Sequence, residues 1–313
     1  MNPKVLRTML LLVLFAGLLA FASKSGALQA VIEMILSGHN LPASGAPVPA
    51  THAKLSEHEI EYINSLAPQG QAEALVQAAI NHDIGATAMI LEKLESWKGH
   101  LERTRKWEFL EQTALYSNDL RVRAATIEVD LLTYHLEKDP QWVNRLIESG
   151  EATPRNRPFD AWVLGLLANR GVETERIHNK LREWLHDPDQ QTRFWAVEGT
   201  ALIGTDDTIP ELLDVLGHDA SPEVRERGGC SVAKSGMLTR EQRMKAVPGL
   251  IEIAADPSED QATQSWAFQA LREITDEQIG NDVNAWQNWY DSHGPERTQQ
   301  FHQQDQNQLL GNI

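Results

Sequence analysis

The sequence predicts an all-α fold, a solenoid in which antiparallel helix pairs stack side by side. Three observations carry this expectation. From Leu55 onward the apolar residues recur at helical rather than alternating spacing. The helical stretches are short, and the turns between them carry aspartate and proline, residues that end one helix and start the next. One turn pattern also returns at a fixed interval: Asp187 and Asp219 lie 32 residues apart, and so do Arg193 and Arg225.

The N-terminus is read first. Lys4 and Arg7 precede an uncharged apolar run from Met9 to Ala22, which ends in the small-x-small triplet Ala20-Phe21-Ala22. This is the layout of a secretory signal peptide cleaved near Ala22. An uncleaved anchor over residues 8–23 is the competing reading. Fourteen helical residues span only about 21 Å, short of a ~30 Å hydrocarbon core. Both fates leave the positive charges inside and place the body beyond the membrane, in the periplasm or cell envelope. Residues 23–54 hold a second apolar stretch, Ala27 to Leu36. A segment rich in proline, glycine and alanine follows, suited to a flexible linker.

Residues 55–293 are the predicted repeat domain. Helices are expected over Thr174 to Leu185 and over Thr208 to Leu216, the latter with Pro210 in its first turn, where a missing N–H costs nothing. In both best-formed units the arginine follows the aspartate by six residues, in Asp187…Thr192-Arg193 and Asp219…Val224-Arg225. An earlier copy reads Asp119-Leu120-Arg121-Val122-Arg123. A later one begins at Asp256-Pro257 and has Gln264 in place of the arginine. Residues 140–173 depart from the pattern, because Pro154 and Pro158 interrupt them. Asn281-Asp282 caps a predicted closing helix with Val283, Trp286, Trp289 and Tyr290 on one face. Residues 294–313, glutamine-rich and poor in apolar side chains, are expected to be a disordered tail.

A first helix, a turn with aspartate, and a second helix opening on Val-Arg and small residues together resemble the HEAT repeat. The resemblance covers roughly residues 105–275 and is best over 174–236. It implies a right-handed, HEAT-like (armadillo-like) solenoid, here of a bacterial protein. One pair cannot bury its apolar face alone, so neighbours must stack. The aspartates are placed to cap the second helices. Asp187, Arg193, Asp219 and Arg225 are read as a structural ladder, each arginine reaching the next unit's aspartate.

Chemistry is sparse. A net charge of -16 disfavours a nucleic-acid partner, and no basic stripe offsets it. Eleven histidines form neither an HExxH motif nor an i, i+4 pair. His58-Glu59 is similar to the His-Glu pairs of HEAT-type di-iron hydroxylases, which need several such pairs. No metal and no cofactor are therefore expected. Gly228 to Ser235 nearly matches a P-loop but falls inside a predicted helix, with no strand before it. The single cysteine, Cys230, is read as a buried, inert thiol.

A partner surface is the remaining expectation. Trp195 and Trp266 hold the same place in their repeats, and Arg227 holds that place between them. Tryptophan and arginine are favoured at binding hot spots. The same position also suits packing between helices. The expected function is an exported or membrane-tethered scaffold or adaptor that binds a protein or peptide and touches the membrane only through its N-terminal segment. The alternatives are an enzyme or cofactor-handling protein of lyase or hydroxylase type, as some HEAT-like folds are, and a structural subunit of an envelope complex.

Overall fold

The computed structural model describes residues 53–310. Residues 1–52 and 311–313 lie outside the described residues, and with them the expected signal or anchor segment and nearly all of the linker. The described part is all-α. Its one piece of β-pairing is a bridge between Lys54 and Ile84, which fixes the start of the body just ahead of the buried Leu55.

Helix α1 (Glu57–Ser65) opens on a capping box. The Ser56 hydroxyl accepts from the Glu59 N–H, and the Glu59 carboxylate accepts from the Ser56 N–H at 2.8 Å. This is the use the structure makes of the Glu59 that follows His58. Helices α2 (Pro68–Ile80), α3 (Ala86–Trp97), α4 (Arg105–Leu115) and α5 (Leu120–Thr133) pack around α2 and α5. Trp97 and Trp107 are fully buried among them.

Helix pairs follow in order. They are α6 (Pro140–Ala152) with α7 (Arg157–Asn169), α8 (Thr174–Trp184) with α9 (Gln190–Ile203), and α10 (Ile209–His218) with α11 (Pro222–Ala233). A short α12 (Arg240–Met244) leads into the pair α13 (Val247–Ala255) and α14 (Gln261–Thr275). The second helices form an inner layer in which α5 packs on α7, α7 on α9, α9 on α11 and α11 on α14. This is a HEAT-like α-solenoid. Helix α5 carries residues of two core clusters: Val122, Ala125 and Val129 pack toward α2–α4, and Ile127 and Leu131 toward the later pairs.

Three expectations about the stack need correction. Residues 140–173 do join it, as α6 and α7. Pro154 sits in a single 3-10 turn and Pro158 in the first turn of α7, so neither breaks a helix. Asp187 and Asp219 are not the helix caps. Asp189 caps α9 by accepting from Thr192 N–H at 2.8 Å. Asp187 and Asp219 stand two residues before the N-cap positions and accept from Asp189 N–H and Ser221 N–H, each at 2.8 Å. The third correction concerns the tail: residues 283–310 form one helix, α15. Phe301, buried beneath the Arg240 guanidinium 3.8 Å from its ring, ties that helix to the body. Asp305 adds a bond from Glu241 N–H at 3.1 Å. One aromatic and a few polar contacts hold a segment that composition alone marks as unable to fold.

The ladder runs between consecutive units. Arg193 grips the Asp219 carboxylate with two N–H groups, at 2.7 and 3.0 Å, and donates to the Asp187 carbonyl at 3.0 Å. Arg225 repeats this with Asp260 at 2.6 Å and the Asp219 carbonyl at 2.7 Å. The preceding rung is Arg157 to Asp187. Planar guanidinium forks suit such paired acceptors.

The array also curls. Arg123, at the start of α5, donates to the Lys234 carbonyl at 2.8 Å and to the Gly236 carbonyl, both just beyond α11. Two stretches more than a hundred residues apart in sequence thus meet across the inner wall.

Candidate functional site

The curl encloses a hollow of about 790 Å³ on the inner layer. Its wall is aromatic: Tyr116, Tyr134, Phe159, Trp162, Phe194 and Trp195 line it. The rings hold one another edge to face. Tyr134 meets Phe159 with centroids 5.3 Å apart, and Trp195 meets both Trp162 and Phe194 at 5.8 Å. These are the separations that aromatic quadrupoles favour. Tyr116 and Phe159 are 44% and 50% exposed, which puts them at the mouth with apolar surface open to an incoming group.

The stacking register brings these residues together. Trp162 on α7, Trp195 on α9 and Arg227 on α11 come from successive second helices, so one face of the layer presents one column. Of the three residues singled out in the sequence, Trp195 and Arg227 share this hollow. Trp266 lies on α14 and lines a smaller neighbouring hollow of about 240 Å³, with Tyr116 on the wall between the two. Cys230 lines that smaller hollow as well and is half-buried rather than buried. It falls at the edge of the helix contact, where the inner layer opens.

Neither Trp162 nor the tyrosines stand at a position that the repeat pattern marks. Trp162 and Trp195 lie 33 residues apart, close to the repeat interval, but Pro154 and Pro158 mask that register in the sequence. Tyr116 and Tyr134 directly follow α4 and α5, where no repeat register points to them.

Two of the guanidiniums in the hollow, Arg227 and Arg103, are paired with carboxylates of its walls, while the third, Arg123, is turned onto backbone carbonyls. Arg227 pairs with Glu198 on α9 and donates to the Tyr116 phenol oxygen at 2.7 Å. Burial nonetheless pushes the Glu198 carboxyl above its ordinary range. Arg103 joins Asp130 at 2.5 Å and Glu111 at 2.6 Å, and its guanidinium lies 4.4 Å from the Tyr134 ring centre. Burial, then the charge of Asp130, pushes Glu111 up, and burial pushes Asp130 up against the lowering effect of Arg103 and its hydrogen bonds. One oxygen of Asp130 is buried without a hydrogen-bond partner.

Residues 151–229 match the family model of HEAT repeats. The matched span starts at the end of α6 and runs into α11, so it takes in α7, which carries Trp162 and Phe159. No curated protein matches the chain. The HEAT-repeat region is a helical repeat scaffold, and its inner layer carries the aromatic hollow. Among the described residues, no group of histidine, cysteine and carboxylate side chains is arranged to hold a metal ion. His178, buried in α8, bonds Glu211 at 2.7 Å. The P-loop-like stretch lies within α11 and the turn that follows it, where Gly228 packs against Leu212 and Val215 of α10 rather than cradling a ligand.

Proposed function

We propose that this chain is a binding scaffold whose aromatic hollow receives the apolar side chains of a protein or peptide partner, and that residues 1–22 export or tether it. The observation that carries the reading is the combination in one hollow of an aromatic wall with internally paired charges. Arg103 and Arg227 already hold carboxylates, and Arg123 donates to backbone carbonyls, so the wall offers little to an ionic ligand. It offers instead a large apolar area that water solvates poorly, rimmed by Tyr116 and Phe159. Exposed aromatic surface of this kind marks interaction sites. Walls of aromatic rings, with Arg103 and Arg227 paired to carboxylates, support apolar contact with a partner.

The test uses peptide display against the full chain. Selected peptides are expected to share closely spaced aromatic or aliphatic residues. Tyr116→Ala and Phe159→Ala should weaken their binding while leaving thermal melting near that of the parent, because both side chains are exposed. Unchanged binding in both variants would overturn the reading. Export is tested separately, with a reporter that is active only outside the cytoplasm fused after residue 52. Activity that is lost when Lys4 and Arg7 are moved beyond the apolar run supports it.

A further inference from the structure

A second hollow, of about 640 Å³, lies on the other side of the Arg123 contact, between the start of α5, the turn after α11 and α14. Its character is opposite to that of the aromatic one. Five cations line it: Arg123, Lys234, Arg240, Arg243 and Arg272. Three acids face them: Glu273, Asp276 and Asp305. Asp276 is held by Arg240, which leaves four cations against two carboxylates. Such an excess is out of keeping with a chain whose net charge is -16.

The two innermost guanidiniums have no carboxylate partner among the described residues. Arg243 is 8% exposed and Arg123 2%. Arg243 donates to the carbonyls of Ala233, Leu238, Lys234 and Ser235, the last three at 3.0 to 3.1 Å. Arg123 donates to the carbonyls of Ser117, Gly236 and Lys234. Both therefore converge on the Lys234 carbonyl. Their hydrogen bonds are met by neutral oxygens, and Asp305 acts on Arg243 through its charge without a direct bond among the described residues. Burial pushes Arg243 down to about 9, with Arg123 beside it adding to the fall, and burial pushes Arg123 down to about 10. Lys234 is exposed at the edge of the same hollow. Among the described residues the Arg272 guanidinium donates to the Asn281 amide oxygen, at 2.9 Å.

We infer that this hollow is an anion site that takes a small ligand bearing phosphate or carboxylate groups. Buried guanidiniums set the positive field, and Lys234 and Arg272 reach the ligand from the rim. An oxyanion there gains charge-assisted hydrogen bonds in a partly desolvated place and offsets the excess of cations over carboxylates in the lining. Gln269 and Gln278 line the same hollow and supply neutral donors. The volume fits a ligand of small-molecule size, and Arg123 stands in the wall that this hollow shares with the aromatic one.

The test is calorimetric titration of the full chain with inorganic pyrophosphate and, in a separate arm, citrate, each at fixed ionic strength with chloride as the control. Saturable binding of either anion is expected, and the stronger arm identifies the group preferred. Lys234→Gln with Arg272→Gln should weaken it roughly tenfold, the loss of about 1.4 kcal/mol. Glu273→Gln should strengthen it by removing an opposing carboxylate. Melting of each variant without added anion checks the fold, since Lys234 and Arg272 are not core residues. No heat beyond chloride in either arm, or equal affinity in the folded double variant, overturns the inference.

Discussion

The Arg227 guanidinium on α11 donates to the phenol oxygen of Tyr116 at 2.7 Å, joining residues 111 positions apart. The same guanidinium pairs with Glu198, so one side chain ties the mouth of the aromatic hollow to its wall. The two contacts should differ in weight. Tyr116→Phe removes one hydrogen bond at an exposed ring and should cost about 1 kcal/mol or less. Arg227→Ala leaves the Glu198 carboxylate buried without its cation and should cost about 3 kcal/mol. Urea unfolding of the two variants measures both. Equal midpoints would show that the Glu198 pair contributes no more than the Tyr116 bond.

The rung from Arg157 to Asp187 gives a second prediction. Arg157 also donates to the Gly150 carbonyl at 2.9 Å, so it binds its own pair together as well as reaching the next. Arg157→Ala should destabilise the body by about 2 to 3 kcal/mol, and Arg193→Ala by a similar amount. In a double-mutant cycle, Arg157→Ala and Asp187→Asn should couple by more than about 0.5 kcal/mol, as residues in direct contact do. Additive effects would show that the rung is a surface pair of little weight.

The ladder also shows which features were legible in the sequence. Asp187 and Asp219 in the turns, and Arg193 and Arg225 in the helices that follow, repeat at one interval, so spacing alone marks them. Arg157 holds the same job from the first position of α7, after a turn containing Pro154. The turn changes the distance from aspartate to arginine, and a fixed register cannot follow it. Trp162 was lost with it. Tyr116, Tyr134 and the Arg123 contact were illegible for a different reason. They depend on how tightly the array curls, and curl is the sum of small rotations at every helix crossing. Phe301 stayed hidden because its burial depends on Arg240 and α12, and nothing around it in the sequence marks an apolar face.

The crossing of α7 and α9 is where that geometry is most constrained. A Cβ on Gly199 would lie 2.4 Å from the Ala161 carbonyl oxygen, and one on Gly165 would lie 2.5 Å from the Gly199 Cα. Two helix backbones approach here with no room for a methyl group. Gly199→Ala gains about 1 kcal/mol of helix propensity. It must also push the helices apart, at an overpacking cost of up to about 3 kcal/mol. A net loss of about 2 kcal/mol in chemical denaturation is expected. Peptide binding in the aromatic hollow should weaken too, since Trp162 and Trp195 ride on these two helices. A stabilised variant with unchanged binding would show that the close approach has no bearing on the hollow.

The carboxylates around Arg103 predict how stability changes with pH. Burial of both groups, and for Glu111 also the charge of Asp130, hold their folded-state affinity for protons above that of the unfolded chain. The native state then binds more protons than the unfolded state once pH exceeds the ordinary carboxylate range. Stability from this pair is complete below that range and is lost as pH rises through the raised folded values. Glu111→Gln removes one of the two charges and keeps a group of similar size beside Arg103. It should flatten the decline in melting temperature between pH 5 and 8, roughly the window in which a raised carboxyl titrates. The gain over the parent should grow toward the upper end of that window. A variant whose melting curve runs parallel to the parent's across the range would mean that Arg103 neutralises both carboxylates fully. The aromatic hollow would then keep its paired charges without any cost that depends on pH.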